Sequence, residues 1–357
     1  MPMSSRSASL AEVLDELTAE GAPELTEHLE GQDLRCYACG HRCLIKEGKR
    51  GICKVRYNEH GHLMVPKNYV AALACDPTEK KPFFHALPGS DTLTFGMLGC
   101  DLHCSYCQNF LTSQTLRDDA AGVAPKEVTA ERLVALAKSY GARMVGTSYN
   151  EPLITAEWAV DVFKLAKPAG FKTAFISNGN ATPQVLDYIR PWTDCYKIDL
   201  KSMSDRNYRQ LGGVVDNILE TVQMVKERGF WEEIVTLVIP GFNDSDDELR
   251  RAADFIVSVS PDIPWHVTAF HQDYKMTENA NTTAEQLIRA CEIGREAGLR
   301  FVYAGNLRGR VGRWENTYCP SCDELLIERY GYIIRQMKVT PAGRCPKCAN
   351  TIPGVWA

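Results

Sequence analysis

The sequence has no apolar run long enough to cross a bilayer. Its longest hydrophobic stretches are strand-sized and broken by polar residues, well short of the roughly 20 residues a spanning helix needs. It also lacks an excess of positive charge. With 40 Lys+Arg against 45 Asp+Glu the formal net charge is −5, so no global field draws the chain to nucleic acid or anionic lipid. The opening Met-Pro-Met-Ser-Ser-Arg-Ser lacks the apolar centre of a secretory signal, which leaves the cytoplasm as the expected compartment. There is no internal repeat and no low-complexity segment. Hydrophobic residues at 45% and charged residues at 24% are ordinary for a globular protein, which excludes disordered and fibrous classes. A chain of 357 residues has room for one barrel-sized core and one or two small appendages.

Cysteine is abundant. Of fourteen cysteines, Cys75, Cys195 and Cys291 stand alone and read as small buried hydrophobes. The others fall into three tight groups at metal-ligand spacing, which argues against disulfides. The first group, Cys36-x2-Cys39-x3-Cys43-x9-Cys53, suits either a zinc ion or an auxiliary iron–sulfur cluster, since thiolates favour both; His41 is an alternative ligand. Around it Lys46, Lys49, Arg50, Lys54 and Arg56 form either a solvated surface or a counter-charge. The third group consists of two Cys-x2-Cys knuckles, Cys319/Cys322 and Cys345/Cys348, enclosing a run that can form a hairpin. That spacing is a strong structural-zinc signal, although a rubredoxin-like iron would use the same ligands.

From Asp91 onward, short β-branched runs alternate with amphipathic helical segments, the pattern of βα units around a parallel sheet. Strands are predicted at 92–98, 143–149, 173–177, 195–200, 234–239, 266–270 and 300–303. The expected fold class is therefore α/β, with an open, partial (β/α)6-type barrel at residues 76–310. A helical and Cys-rich N-terminal module at 1–75 precedes it, and a zinc-ribbon-like module at 311–357 follows. Residues 9–30 read as short helices, and a Pro- and charge-rich linker begins at Asp76.

The central group, Cys100-x3-Cys104-x2-Cys107, directly follows the first barrel strand, on a loop that belongs at the reactive, carboxyl-terminal mouth. Cubane iron–sulfur clusters usually take four thiolates. Three leave one iron open, as an open position distinguishes catalytic from structural zinc. A zinc site completed by His103 is the competing arrangement. On the fourth strand Lys197, Asp199 and Lys201 share one face. Because Ile198 and Leu200 must meet the surrounding helices, the three charges turn inward, where charge is costly unless paired or functional.

The segment DPTEKKPFFHALPGSDTLTFGMLGCDLHCSYCQN resembles the radical SAM (S-adenosylmethionine) enzymes related to pyruvate formate-lyase activating enzyme. The N-terminal cysteines and ENTYCPSCDELLIERYGYIIRQMK resemble the AmmeMemoRadiSam-system radical SAM enzymes. The resemblance implies a 4Fe-4S cluster on Cys100, Cys104 and Cys107 that cleaves SAM to a 5′-deoxyadenosyl radical. It places Tyr106 near the adenine and Asn150 and Glu151 on the methionyl amino group. Ser177 and Asn178 become cofactor contacts, Asp199 and Lys201 ribose or carboxylate contacts, and His271 a residue near SAM and the radical. The turn at Ile239-Pro240-Gly241 would lie near the adenine. A small-molecule or peptide substrate, a reductant such as flavodoxin or ferredoxin, and Memo-family and AMMECR-family partners are implied as well. An activating enzyme for a glycyl-radical protein and a catalytically silent metal scaffold are the rival functions. Arg308, Arg310 and Arg313 read equally as an anion-binding or a solvent-exposed loop. The metal content expected from the three groups is two zinc ions beside one cubane cluster.

Overall fold

The computed structural model describes residues 9–357; the N-terminal segment read for a secretory signal lies outside them. Eight strands form one open sheet: β1 (Ala72–Pro77), β2 (Asp91–Gly96), β3 (Met144–Thr147), β4 (Lys172–Ser177), β5 (Cys195–Asp199), β6 (Trp231–Val238), β7 (Trp265–Ala269) and β8 (Val302–Gly305). They lie side by side in chain order, β2 to β8 parallel and β1 antiparallel on the edge. The outer strands β1 and β8 do not pair with each other, so the sheet is curled open and not a closed barrel.

The seven predicted parallel strands all form, because each is a short, mostly buried run and the first six are each followed by a helix that can cover the sheet. The main crossover helices are α1 (Ala130–Ser139), α2 (Ala156–Ala166), α3 (Pro183–Ile189), α4 (Val215–Glu227), α5 (Asp246–Val259) and α6 (Ala284–Ala297). Each buries one face: α5 presents Leu249, Ala252, Ala253 and Ile256 to the sheet. Four of the six starts are marked by side-chain caps. Thr283 and Gln286 close a capping box on α6, and Ser245 accepts from Glu248 N at the head of α5, each such cap being worth about 1 kcal/mol.

Two sequence readings are corrected. Asp76 and Pro77, read as the start of a linker, end the edge strand β1, where proline's missing N–H is tolerated. Within 9–30 only Leu10–Glu16 and a single 3-10 turn at Pro23–Leu25 are helical. Thr18–Glu20 pairs with His62–Pro66, and Thr26–His28 pairs with Leu34–Cys36. Gly21 and Pro23 interrupt helical continuation there, and partner strands distant in sequence outweigh weak local helical propensity.

The C-terminal segment forms a three-stranded antiparallel sheet whose hairpin pairs Leu325–Tyr330 with Ile333–Met337. The chain then returns to the main body. Val355 N donates to His85 O and Leu87 N to Val355 O, both at 2.7 Å. Arg329, buried, lies 4.2 Å over the Phe84 ring and donates to Phe84 O at 2.9 Å.

Candidate active site

The carboxyl ends of β2, β3, β4 and β5 converge on one cavity of about 140 Å³. Cys100, Cys104 and Cys107 line it from the loop after β2, Asn150 and Glu151 from the loop after β3, Asn178 from the end of β4, and Lys197, Asp199 and Lys201 from β5. Close backbone approach shapes the mouth. A Cβ on Gly96 would stand 2.3 Å from Ser148 O, and one on Gly99, at φ +92°, would stand 2.9 Å from both Val55 methyls. Only glycine fits either position.

Two of the three thiols have hydrogen-bonding partners. Leu102 N donates to Cys100 Sγ at 3.4 Å, and Ser113 Oγ lies 3.1 Å from Cys107 Sγ. Burial pushes the Cys104 thiol up to about 11, against the opposing pull of the Lys201 ammonium. This soft donor set fits a metal cluster, whose binding must release the thiol protons. His103 is exposed and sits against Gly212, whose Cβ would stand 2.4 Å from His103 Cε1; it does not line the cavity, so the zinc arrangement with His103 loses its fourth ligand.

Behind the thiols lies a buried acidic pair that Asn178 bridges. Its N–H donates to Glu151 Oε2 at 2.7 Å and its Nδ2 to Asp101 Oδ1 at 2.7 Å. Asn180 Nδ2 donates to Asp101 Oδ2 at 2.8 Å, while Ser177 Oγ and Leu153 N donate to Glu151 Oε1 at 2.8 and 3.0 Å. Asn150 Oδ1 accepts from Met97 N, tying the third strand's loop to the second's. On β5, Lys197 pairs with Asp199 Oδ1, and Lys201 Nζ stands 3.4 Å from Asp199 Oδ2. The two ammonium groups hold the Asp199 carboxyl below its ordinary range despite its burial, and Asp199 in turn raises Lys201.

Burial, with the Asp101 charge beside it, pushes Glu151 up to about 8 from an ordinary 4.5, although three donors pull it back toward ionisation. The folded chain therefore keeps a proton that the unfolded chain releases, and stability falls as pH rises through this window. In metal-free protein, Glu151→Gln is expected to melt near the parent at about pH 5 and above it at about pH 9. Parallel melting-versus-pH curves for the two proteins would refute this assignment.

Three predicted residues do not line the cavity. Ser177 stands behind Glu151 and braces it. Tyr106 is buried, edge-on to Phe242 with centroids 5.9 Å apart. His271 is exposed, its Nε2 3.0 Å from Gln108 Nε2, beside the cysteine loop but outside the cavity. Asp101, Asn180 and Ser113 were not singled out in the sequence. The available signal was Asp101's place inside the cysteine loop and Asn180's place two residues after Asn178. Two of the three loop arginines are engaged elsewhere: Arg308 lies 4.2 Å over the Tyr330 ring, and Arg313 lies over Tyr318 and pairs with Asp323 at 2.6 Å, while Arg310 is exposed.

The C-terminal cysteines form a second, different site. Cys319, Cys322, Cys345 and Cys348 are the one group of three or more Cys, His, Asp or Glu among the described residues whose ligand atoms all lie within 4.8 Å of one another. Cys319–Cys348 and Cys322–Cys345 Sγ separations are 3.6 and 3.7 Å. A tetrahedral ion with metal–sulfur bonds of about 2.3 Å sets thiolates roughly 3.8 Å apart, so the four fit one ion. The Asn350 N–H holds Cys348 down to about 7, leaving one thiol ready to bind near neutral pH.

Residues 95–256 match the Radical SAM superfamily. Over 329 residues, 91% of this chain, the sequence is 34% identical to an uncharacterized protein of Methanocaldococcus jannaschii, of which it covers 97%. It is 30% identical over 205 residues to the pyruvate formate-lyase 1-activating enzyme of Escherichia coli strain K12, covering 54% of this chain and 80% of that enzyme. Among solved structures, a domain of the pyruvate-formate lyase-activating enzyme from Bacteroides vulgatus aligns with 45% of this chain and 98% of its own, at 22% identity and a TM-score of 0.41.

Proposed function

Since the chain belongs to the radical SAM superfamily and is homologous to pyruvate formate-lyase activating enzymes, we propose that its cavity binds a 4Fe-4S cluster and SAM and that the chain is a SAM-cleaving radical enzyme. The observation that carries this is the sharing of one cavity by three strand-end thiols and the polar groups of β3, β4 and β5. When bound, the cluster supplies the electron that breaks the sulfonium bond of SAM and leaves methionine and a 5′-deoxyadenosyl radical, chemistry no side chain provides.

The chain's own residues bind and orient. Cys100, Cys104 and Cys107 hold the cluster, with Leu102 N–H, the Ser113 hydroxyl and the Lys201 ammonium offsetting their negative charge. Glu151, buried and without a cationic partner in the cavity, suits the α-ammonium of SAM, and Asn150 borders the same spot. Lys201 retains donors beyond its contact with Asp199 for a carboxylate or ribose oxygen. The electron comes from outside, from a low-potential carrier such as flavodoxin or ferredoxin. The chemistry the bound cofactor would supply is hydrogen-atom abstraction from the substrate, which would leave 5′-deoxyadenosine.

Homology to the activating enzymes favours a second reading in which the hydrogen comes from a glycine of a partner protein. Against it, that homology covers 54% of the chain, whereas likeness to the Methanocaldococcus jannaschii protein covers 91% and so extends well beyond the stretch shared with the activating enzymes. The outer cysteine groups also support the finer assignment to an AmmeMemoRadiSam system with Memo-family and AMMECR-family partners. Zinc is the ion we assign to the C-terminal quartet.

The test is anaerobic reconstitution followed by SAM and dithionite. Methionine and 5′-deoxyadenosine are expected in equal amounts. Their absence from protein shown to carry the cluster would sink the proposal.

A further inference from the structure

The N-terminal cysteines were expected to take zinc as readily as iron–sulfur, and their placement separates the two. Cys36, Cys39 and Cys53 are buried and Cys43 is partly exposed. Unlike the C-terminal quartet, no three of them bring their sulfurs within 4.8 Å of one another. Nor do Cys100, Cys104 and Cys107. One tetrahedral ion needs sulfurs at the short spacing seen at the C-terminus; a cubane puts each thiolate on a different iron, at the corners of a larger body. Neither the N-terminal group nor the central triad is drawn to the single-ion spacing of the C-terminal quartet.

Its surroundings favour an anionic centre. Ile52 N donates to Cys43 Sγ at 3.5 Å. Arg56, 1% exposed, lies in the same stretch as Cys53. Its two terminal nitrogens are held by Glu157 at 2.8 Å each, while its buried Nε–H has no partner. A buried donor left unpaired is costly, and a cluster's sulfur is an acceptor that would satisfy it.

The group also abuts the central loop. Gly40 N, next to Cys39, donates to Asn180 O at 2.8 Å; Asn180 Nδ2 donates to Asp101, the neighbour of Cys100. His41 Nε2 lies 3.1 Å from Asp101 O, and Cys53 O lies 3.0 Å from where a Gly99 Cβ would stand. On the outer side, the partly exposed Cys43 is followed by exposed Lys46, Lys49 and Lys54, a basic rim suited to an acidic electron-carrier protein.

We infer that Cys36, Cys39, Cys43 and Cys53 hold a second 4Fe-4S cluster that passes electrons from an external carrier to the central one. Each transfer moves one electron: the reduced N-terminal cluster is oxidised from the 1+ to the 2+ state as the central cluster is reduced from 2+ to 1+, and a flavodoxin- or ferredoxin-class donor restores the first. The relay rests on the SAM-cleaving reading; the presence of the cluster does not.

Iron, sulfide and zinc are measured on the full-length chain reconstituted anaerobically. About eight irons per chain, two cubanes, and one zinc are expected; about four irons with two zinc ions overturns the inference, whether or not any variant folds. The Cys100→Ala/Cys104→Ala/Cys107→Ala chain should keep about four irons and a reduced-cluster EPR signal, and an iron-free, EPR-silent product overturns it too. For the relay, Cys39→Ser/Cys53→Ser should lower the ratio of flavodoxin-driven to dithionite-driven SAM cleavage at least about tenfold, and an unchanged ratio rejects it. If the parent chain cleaves no SAM, the relay falls with the proposed function, while the iron count of the triple-alanine chain still decides the site.

Discussion

Replacing Cys104 by alanine is expected to reduce SAM cleavage to background while leaving a folded protein. Cys104 comes from the middle of the cysteine loop, 8% exposed and packed with Leu102, Tyr106, Leu211 and Phe270. Alanine removes one sulfur atom from that packing, a change costing about 1–2 kcal/mol by analogy with small core truncations. The chemical loss is of another order. With Cys100 and Cys107 alone, two irons of a cubane lack protein ligands, and the electron that cleaves the sulfonium has no carrier. The variant should therefore show near-parental melting, lose the central cluster's iron, and form no 5′-deoxyadenosine with dithionite. Cleavage at even a tenth of the parental rate would mean that Cys104 does not hold the cluster.

The same site shows what could be read from the sequence. Cysteine spacing is a covalent regularity and survives without knowledge of the fold, so all three groups were visible at once. Strand parity is nearly as direct. Ile198 and Leu200 are fully buried in the core, and Lys197, Asp199 and Lys201 line the cavity, because a strand that buries one face must present the other. What stayed hidden depends on tertiary pairing. Asp101 matters because Asn178 and Asn180, from a different strand end, reach it; no local pattern encodes that meeting. His271 is a different case, since a motif position carries no information on exposure, and its side chain lies beside Gln108 and outside the cavity lining. Arg308 and Arg313 read equally as anion-binding or solvent-exposed because their partners Tyr330, Tyr318 and Asp323 meet them only once the C-terminal segment has folded. The strands at Thr18–Glu20 and Thr26–His28 were missed because their pairing partners lie downstream, and isolated short strands have no periodicity to detect.

Removing the metal from the C-terminal quartet, by chelation or by Cys345→Ser, is expected to release the whole tail after β8. The module's own core is small: Cys319, Leu326, Ile327, Val339, Cys345 and Ile352, with Phe84, Phe301 and Tyr303 supplied by the main body. Two of those six residues are themselves ligands, so losing the ion removes both the cross-link and part of the packing. Structural zinc contributes about 10–16 kcal/mol in peptides that fold only around it; here the main body has its own sheet and core, so the docking of the tail is what is chiefly at stake. That docking involves costly groups. Arg329 lies fully buried against Phe84 with Glu79 4.0 Å away, and Tyr303 Oη bridges His85 Nε2 at 2.6 Å and Thr317 Oγ1 at 2.8 Å. Undocking breaks these contacts and exposes the apolar faces of Phe84, Phe301 and Tyr303, so the melting temperature should fall. Limited proteolysis should then cut between Gly305 and the hairpin at Leu325–Tyr330, while the sheet from β1 to β8 stays protected. A metal-free tail that resists protease as well as the parent would show that the hairpin and the Val355 return hold the module without an ion.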